Sequence, residues 1–519
     1  MSKASCRGGI KEEGQPVKGT VLKPLKKRED PLTHPQVTNT DTPGEKQHSE
    51  VHDDLKSHQK ETSKRRRSQP HPVLNAKQNT AFNPANLTDA TLCIDEFNKR
   101  YAVVNGGNKI VVVDDYADST SSASRMTKHT FFDLYANKTV SKGKATIGAA
   151  QYWFEHALRR QYLGGFVFDP ARNTQPEKYN LWKGFAVQPD PKKSCQRLLD
   201  HLLEVICDGN QDCFEYLINW LALLIQKPHQ LPGVAICLLS EQGAGKGIAL
   251  SYIGTLLGRH YKTITSKTHL VGQFTGQLED AVLVFADELH WEGSKADTGI
   301  LKGLITEKTR MMERKYSEAI AVNNCVHLVV ASNESWAIPA ELGDRRFFVL
   351  QASSVKKGDE TYFNNIAAEM VNGGPEALLA HLQSRNISSF SPGKFPKTAA
   401  RVSQQLASLD PIETWLYKIA DSGSLSSIQN AGAGTWPDKI NKHGFHQSYT
   451  QWHNQARTTG KPEGISAFTT ALKKFGLQPC KMPIDDCGAR PPGYALPSVE
   501  GLRKAIDEAL GHPAPWDPN

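Results

Sequence analysis

A chain of 519 residues with 39% hydrophobic content has room for two to four domains with sizeable cores, which excludes a wholly disordered protein. The net charge of +8 points to a polyanionic partner, yet residues 1–70 carry 15 Lys/Arg against 10 Asp/Glu, so any nucleic-acid contact of the nearly neutral remainder needs locally placed cations. Nine scattered cysteines without a Cys-x-x-Cys pair argue against a disulfide framework and a zinc ribbon, and a polar start with no long apolar run leads to the expectation of a cytoplasmic protein.

Residues 1–80 are rich in Lys, Ser, Pro, Gln, Thr and His and read as a disordered basic and polar tail, with a basic cluster at Lys64, Arg65, Arg66 and Arg67. Residues 83–191 read as a small mixed α+β domain. It starts with a helix over 87–101, continues as a hairpin around Asn105-Gly106-Gly107, and includes an amphipathic helix over 153–162. Asp114 and Asp115 are adjacent acids, but the region shows no set of carboxylates and histidine for nucleotidyl transfer. Residues 195–230 carry Leu198, Leu202, Ile206, Leu217, Leu221 and Leu224 at helical spacing and form a helical segment. Residues 231–420 hold a nucleotide-binding module, with helical stretches over 366–382 and 399–419. A Gly/Ser-rich break over 421–434 precedes a last module at 435–519, whose aromatics Phe445, Tyr449 and Trp452 read as core.

The central module carries the chemistry. An apolar strand over 234–239 leads into Ser240-Glu-Gln-Gly243-Ala244-Gly245-Lys246-Gly247 and then an apolar helix. Glycines let backbone N–H groups turn toward phosphate oxygens, the helix start adds partial positive charge, and Lys246 reaches the β and γ phosphates. Ser240 stands where the usual pattern has its first glycine, and Gly247 where a Mg²⁺-binding hydroxyl is expected. The metal therefore has to rely on Asp287, nucleotide oxygens and water, or is bound weakly.

About forty residues on, a second apolar strand ends in Asp287-Glu288. Asp287 fits a Mg²⁺ ligand and Glu288 a group that orients and deprotonates the attacking water. A third strand runs into Ser332-Asn333. A polar residue ending a strand placed between the first two can bond both the water and the γ phosphate, which makes Asn333 the candidate. Strands that each end in a polar residue suit a parallel sheet, whose ligands bind outside its carboxyl edge. Arg345 and Arg346 follow Asp344, and either is a candidate arginine finger or a structural ion pair.

The order Gly243-Ala-Gly-Lys246, Asp287-Glu288, Ser332-Asn333 and Asp344-Arg-Arg346 resembles superfamily 3 helicases, in particular the phage and plasmid primase-helicase branch. Fragments such as Phe285-Ala-Asp-Glu288 and Arg345-Arg-Phe-Phe-Val349 share that likeness, which covers roughly residues 85–410. The resemblance implies an α/β fold with a P-loop, AAA+-like core and a parallel sheet. It also implies ATP with Mg²⁺, a homo-oligomeric ring of six, and 3′ to 5′ movement along single-stranded or forked DNA in replication of a phage, plasmid or mobile element. A loop between the second and third motifs enters the ring channel in that family. Here it maps to 308–317, with Arg310, Arg314, Lys315 and Tyr316 as DNA contacts, or simply a solvated loop. The 435–519 module is similar to a winged-helix end. Lacking a nucleotidyl-transfer set, the chain would work with a separate primase. Two other functions fit the same residues: an ATPase that loads or remodels replication proteins, and a non-hydrolysing nucleotide-dependent DNA-binding oligomer.

Overall fold

The computed structural model describes residues 82–107, 109–115, 124–288, 295–314, 319–334, 336–425, 436–456, 458, 460–484 and 488–517. The basic tail lies outside this set. The first helix, α1 (Ala90–Arg100), starts at Asp89, whose carboxylate accepts the N–H groups of Thr91 and Leu92. It leads into the hairpin of β1 (Tyr101–Asn105) and β2 (Ile110–Asp114), which β3 (Ser124–Met126) extends. After α2 (Ala149–Glu155), the short β4 (Gln161–Tyr162) joins β1 in parallel, giving the order β3-β2-β1-β4. Alternate residues of β1 and β2 serve two cores. Tyr101, Val103 and Val112 pack with Phe97, Phe131 and Trp153, while Ala102, Val104, Val111 and Val113 face the centre of the molecule.

The amphipathic pattern over 153–162 predicts more helix than forms. Asn98 ends it: its Oδ1 accepts from the Trp153 indole at 2.8 Å and from Arg160 N–H at 2.6 Å, and its Nδ2 donates to Leu158 O at 2.9 Å. These bonds hold the chain extended into β4, so tertiary contacts override local helical spacing.

Next comes α3 (Gln196–His201), which runs into a π-type turn at Leu202–Ile206, followed by α4 (Gln211–Gln226). Nearly the whole circumference of α4 is apolar and buried, as suits a helix inside a core. The central sheet is built from β5 (Ala235–Leu239), β6 (Tyr261–Ile264), β7 (Leu283–Ala286), β10 (His327–Ser332) and β11 (Phe347–Gln351). Between them lie α5 (Lys246–Leu257), α6 (Lys295–Thr306) and an antiparallel hairpin of β8 (Thr309–Met312) and β9 (Ile320–Asn323). The sheet order is β6-β7-β10-β5-β11, parallel throughout. Ile236, Leu238, Val329 and Phe348 fill one side and Ala235, Cys237, Val330 and Val349 the other, which explains the unbroken apolar runs.

Among other places, the N-terminal elements meet this sheet at His260, just before β6. Its Nδ1 donates to Asp280 O at 2.7 Å, its Nε2 accepts Lys183 N–H at 3.1 Å, and its ring lies 4.5 Å from that of Trp182. Beyond the sheet, the expected helical stretches each divide in two. Gly373, at a φ of 97°, separates α7 (Glu360–Val371) from α8 (Gly374–Ser384), and a capping box of Asp410 and Glu413 restarts α10 (Pro411–Ser422) after α9 (Ala399–Ala407). The last module adds β12 (Lys439–Asn441), α11 (Lys442–Gln455), α12 (Ile465–Lys474), β13 (Gln478–Lys481), β14 (Pro492–Ala495) and α13 (Val499–Leu510). Its three strands pair antiparallel in the order β12-β14-β13, over a core that includes Trp415, Phe445, Tyr449 and Phe468. No helix among the described residues is long and apolar enough to cross a membrane.

Candidate functional site

Where β5 ends, the chain must turn sharply to start α5. Gly243 and Gly245 make that turn at φ angles of 88° and 91°, a left-handed conformation that a side chain would strain. Gly245 is also walled in, because a Cβ there would lie 2.6 Å from His201 and 2.7 Å from Phe363. A Cβ at Gly247 meets nothing within 4 Å. The loop opens on a cleft of about 320 Å³. Gly243, Ala244, Gly245, Lys246 and Gly247 form one wall, and Asp287, Glu288, Asn333 and Phe363 face them.

Lys246 is nearly buried, and its Nζ donates to Asn333 Oδ1 at 2.8 Å, to Ser240 O at 3.3 Å and to the Ser240 hydroxyl. Burial lowers its pKa, opposed by the charges of Asp287 and Glu288. Asp287 follows β7 directly, and burial, then the charge of Glu288, raises its pKa. Glu288 is exposed and adopts a φ of 52°. For a residue with a Cβ this costs about 1–2 kcal/mol, and strain of this kind concentrates at functional sites. Asn333 follows β10, the strand that lies between β5 and β7. The sheet order thus brings Lys246, Asn333 and the two carboxylates to one edge.

Arg345 and Arg346 lie elsewhere. They precede β11, whose first residue pairs with Ala235 at the start of β5, so they sit at the amino edge of the sheet. Arg346 donates its N–H to Asp344 Oδ1 at 2.9 Å and holds the same carboxylate with its guanidinium at 3.4 Å. Arg345 is exposed. Of the two, Arg346 takes the structural ion pair.

The expected DNA loop is the β8–β9 hairpin, and two of its cations are tied down. Arg310 donates to Leu278 O at 2.6 Å, and Arg314 pairs with Glu279. The other oxygen of Glu279 holds Arg125 of β3 at 2.8 Å, with the Arg125 guanidinium 3.9 Å from the centre of the Phe166 ring. Glu279 is a carboxylate with little exposure that needs cationic partners, and Arg314 and Arg125 supply them, while Arg310 is held by a backbone carbonyl. Burial lowers the pKa of Arg125 and Arg310. Lys315 and Tyr316 lie outside the described residues.

Asp114 and Asp115 are structural as well. Asp114 binds Arg100 at 2.7 Å, and Asp115 binds Arg160 at 2.6 Å and Lys183 at 3.1 Å. Three residues around the cleft escape sequence reasoning. Ser240 reads as a lost glycine but bonds Lys246, Phe363 precedes the helical stretch expected from 366 and belongs to no motif, and His201 lies 44 residues from the Gly245 carbonyl that it contacts.

Comparison with known proteins finds likeness over part of the chain. A family of unknown function, DUF5906, matches residues 238–346, the span from β5 to Arg346. The DNA primase-polymerase of Nitratiruptor phage NrS-1 is 26% identical over 223 residues, which is 41% of this chain and 30% of that protein. The match therefore spans less than a third of the relative's length. Apo structures of the NrS-1 C-terminal region share the fold: one superimposes with a TM-score of 0.57 at 16% identity, covering 76% of this chain and 96% of that one. Another, in the A form, gives 0.56 and covers 79% and 100%. The chain is thus related to a phage replication protein and shares a mixed α/β fold with its C-terminal region.

Proposed function

We propose that this chain is an ATP-hydrolysing DNA motor of the superfamily 3 helicase type, with an AAA+-like core, serving replication of phage type. The observation that carries the reading is the convergence of Lys246, Asp287, Glu288 and Asn333 on one cleft, from three strands whose order places the asparagine strand between the other two. Backbone N–H groups of 243–247 cradle the phosphates, and Lys246 leaves Asn333 and Ser240 to meet the β and γ phosphates. Asn333 then turns to the γ phosphate and the attacking water. Glu288 takes the proton as that water attacks the γ phosphorus and ADP leaves.

Mg²⁺ fits the donor set, since a hard cation takes oxygen ligands and the carboxylates of Asp287 and Glu288 line the cleft. Asp287 would hold it, with nucleotide oxygens and water as the remaining ligands. Bound there, it would neutralise charge on the β and γ oxygens. The rim ring of Phe363 offers an apolar face to the base.

Arg345 cannot serve the cleft of its own chain. The five residues of β11 separate the two edges by roughly 16 Å at about 3.3 Å per residue. It would complete the cleft of a neighbouring copy, which favours a homo-oligomer with head-to-tail contacts, six in a ring by resemblance. The helix, strand, two helices and two strands of residues 411–495 follow the order of a winged helix, a second element for DNA. Single-stranded or forked DNA is the track, travelled 3′ to 5′, with priming by a separate enzyme.

The test is ATP-dependent displacement of a labelled strand from a forked duplex, with phosphate release measured with and without single-stranded DNA. Displacement together with DNA-stimulated release is expected. Release that responds only to a protein client favours a loader or remodeller, and absence of release favours a nucleotide-dependent DNA-binding oligomer.

A further inference from the structure

The chemistry proposed above leaves unused a histidine behind the phosphate loop. His201, the last residue of α3, is fully buried against Gly245. Its Nε2 lies 3.2 Å from Gly245 O, and its Nδ1 lies 3.1 Å from the Tyr362 hydroxyl. A carbonyl only accepts, so Nε2 carries the proton and Nδ1 accepts from Tyr362. The ring is neutral, and burial keeps its pKa below the ordinary value.

Gly245 O receives a second bond, from Ala249 N–H at 3.2 Å in the first turn of α5. In a planar trans peptide the C=O and N–H point in opposite directions. A carbonyl pinned from two sides therefore fixes where the N–H of Lys246 points, away from His201 and toward the open side of the loop. Glycine at a φ of 91° has wide rotational freedom, so this orientation needs a device to hold it.

The ring is itself held by α7. Tyr362 and Glu369 are two turns apart on one face of that helix. Glu369 accepts the N–H groups of Arg197 and Leu198, which open α3, at 3.0 and 3.2 Å, and the Tyr252 hydroxyl of α5 at 3.0 Å. At the π-type turn that follows His201, Val205 O accepts Ser353 N–H at 2.8 Å just past β11. The histidine thus stands on a frame that touches α5, α7 and the edge of the sheet.

We propose that His201 is a positioning residue for the phosphate loop: its Nε2–H orients the Gly245–Lys246 peptide so that the Lys246 N–H faces the phosphate chain, and Tyr362 selects the tautomer that does so. This rests on the nucleotide-binding reading above. Three variants of the full chain test it: His201→Phe, which keeps the ring and removes the bond; His201→Gln, which keeps an N–H donor; and Tyr362→Phe. The measurements are amide hydrogen exchange over 243–249 without nucleotide, affinity for a fluorescent ATP analogue, and the thermal midpoint.

His201→Phe should speed exchange in the loop and weaken analogue binding by about ten-fold, the scale of one lost hydrogen bond. His201→Gln should recover to within about three-fold of the parent, with Tyr362→Phe between the two. Wild-type exchange and affinity in His201→Phe would overturn the proposal. So would equal losses in the Phe and Gln variants that track the thermal midpoint. A parent chain that binds no analogue while His201→Phe still loosens the loop defeats the nucleotide reading and supports the positioning role.

Discussion

The carboxyl edge of the central sheet and the β8–β9 hairpin both gather charged side chains, and they use them in opposite ways. At the edge, Lys246 bonds to neutral oxygens of Asn333 and Ser240 and faces Asp287 and Glu288 across a cleft. In the hairpin, Arg310 and Arg314 end on Leu278 O and Glu279. A strand end is placed by the apolar pairing of its whole strand, so its polar residue arrives at the edge whether or not it has a partner. A cation on a hairpin is placed by its surroundings, and here a poorly exposed carboxylate takes it first. Residues on strand ends are therefore placed more predictably than cations on a hairpin.

Four perturbations test that contrast, from the largest effect to the smallest. Glu288→Gln should lower phosphate release by about 10²- to 10⁴-fold with nucleotide binding retained, because the amide no longer takes the proton. Parental turnover would remove Glu288 as the base. Lys246→Ala should lower nucleotide affinity and hydrolysis together by about 10²- to 10³-fold, the scale of losing a preorganised donor to developing charge. Unchanged binding measured by calorimetry would take the loop out of the mechanism.

Glu279→Gln addresses the hairpin. It removes the charge that holds Arg125 and Arg314, so single-strand binding should tighten and its log-log salt dependence should steepen by about 0.7 for each arginine that reaches a phosphate. A salt slope equal to the parent's would mean that neither arginine meets DNA. Acid addresses the frame beneath both regions. Burial holds His260 and His327 at pKa values of about 4 against an ordinary 6.5. Between those values the unfolded chain binds protons that the folded chain refuses, so the stability present above pH 6.5 is lost as pH falls toward 4. The thermal midpoint should drop by several degrees between pH 7 and pH 5, and a flat profile would mean that neither ring is held neutral.

The strands β5, β7 and β10 were legible in the sequence because each apolar run ends in a polar residue, and the spacing of Lys246, Asp287 and Asn333 suggested one edge, whereas the edge strand β6 carries no apolar run to mark it. The hairpin was legible as a loop between motifs, but its bonding was not. Glu279 lies 35 residues before Arg314 and 154 after Arg125, and no local pattern joins them. His201 was missed for a similar reason: at 161 residues from Tyr362, it reads as one more position on an amphipathic helix. Asn98, which ends the helix expected over 153–162, makes the same point in the small domain.

The seat of the small domain on the sheet has a further consequence. His260 joins the two with an uncharged ring that takes Lys183 N–H on one side and gives its own proton to Asp280 O on the other. Contacts between arginine and phosphate weaken steeply as ions are added, whereas a bond between neutral, buried groups is almost indifferent to them. Raising the ionic strength should therefore leave the His260 bonds of this joint intact.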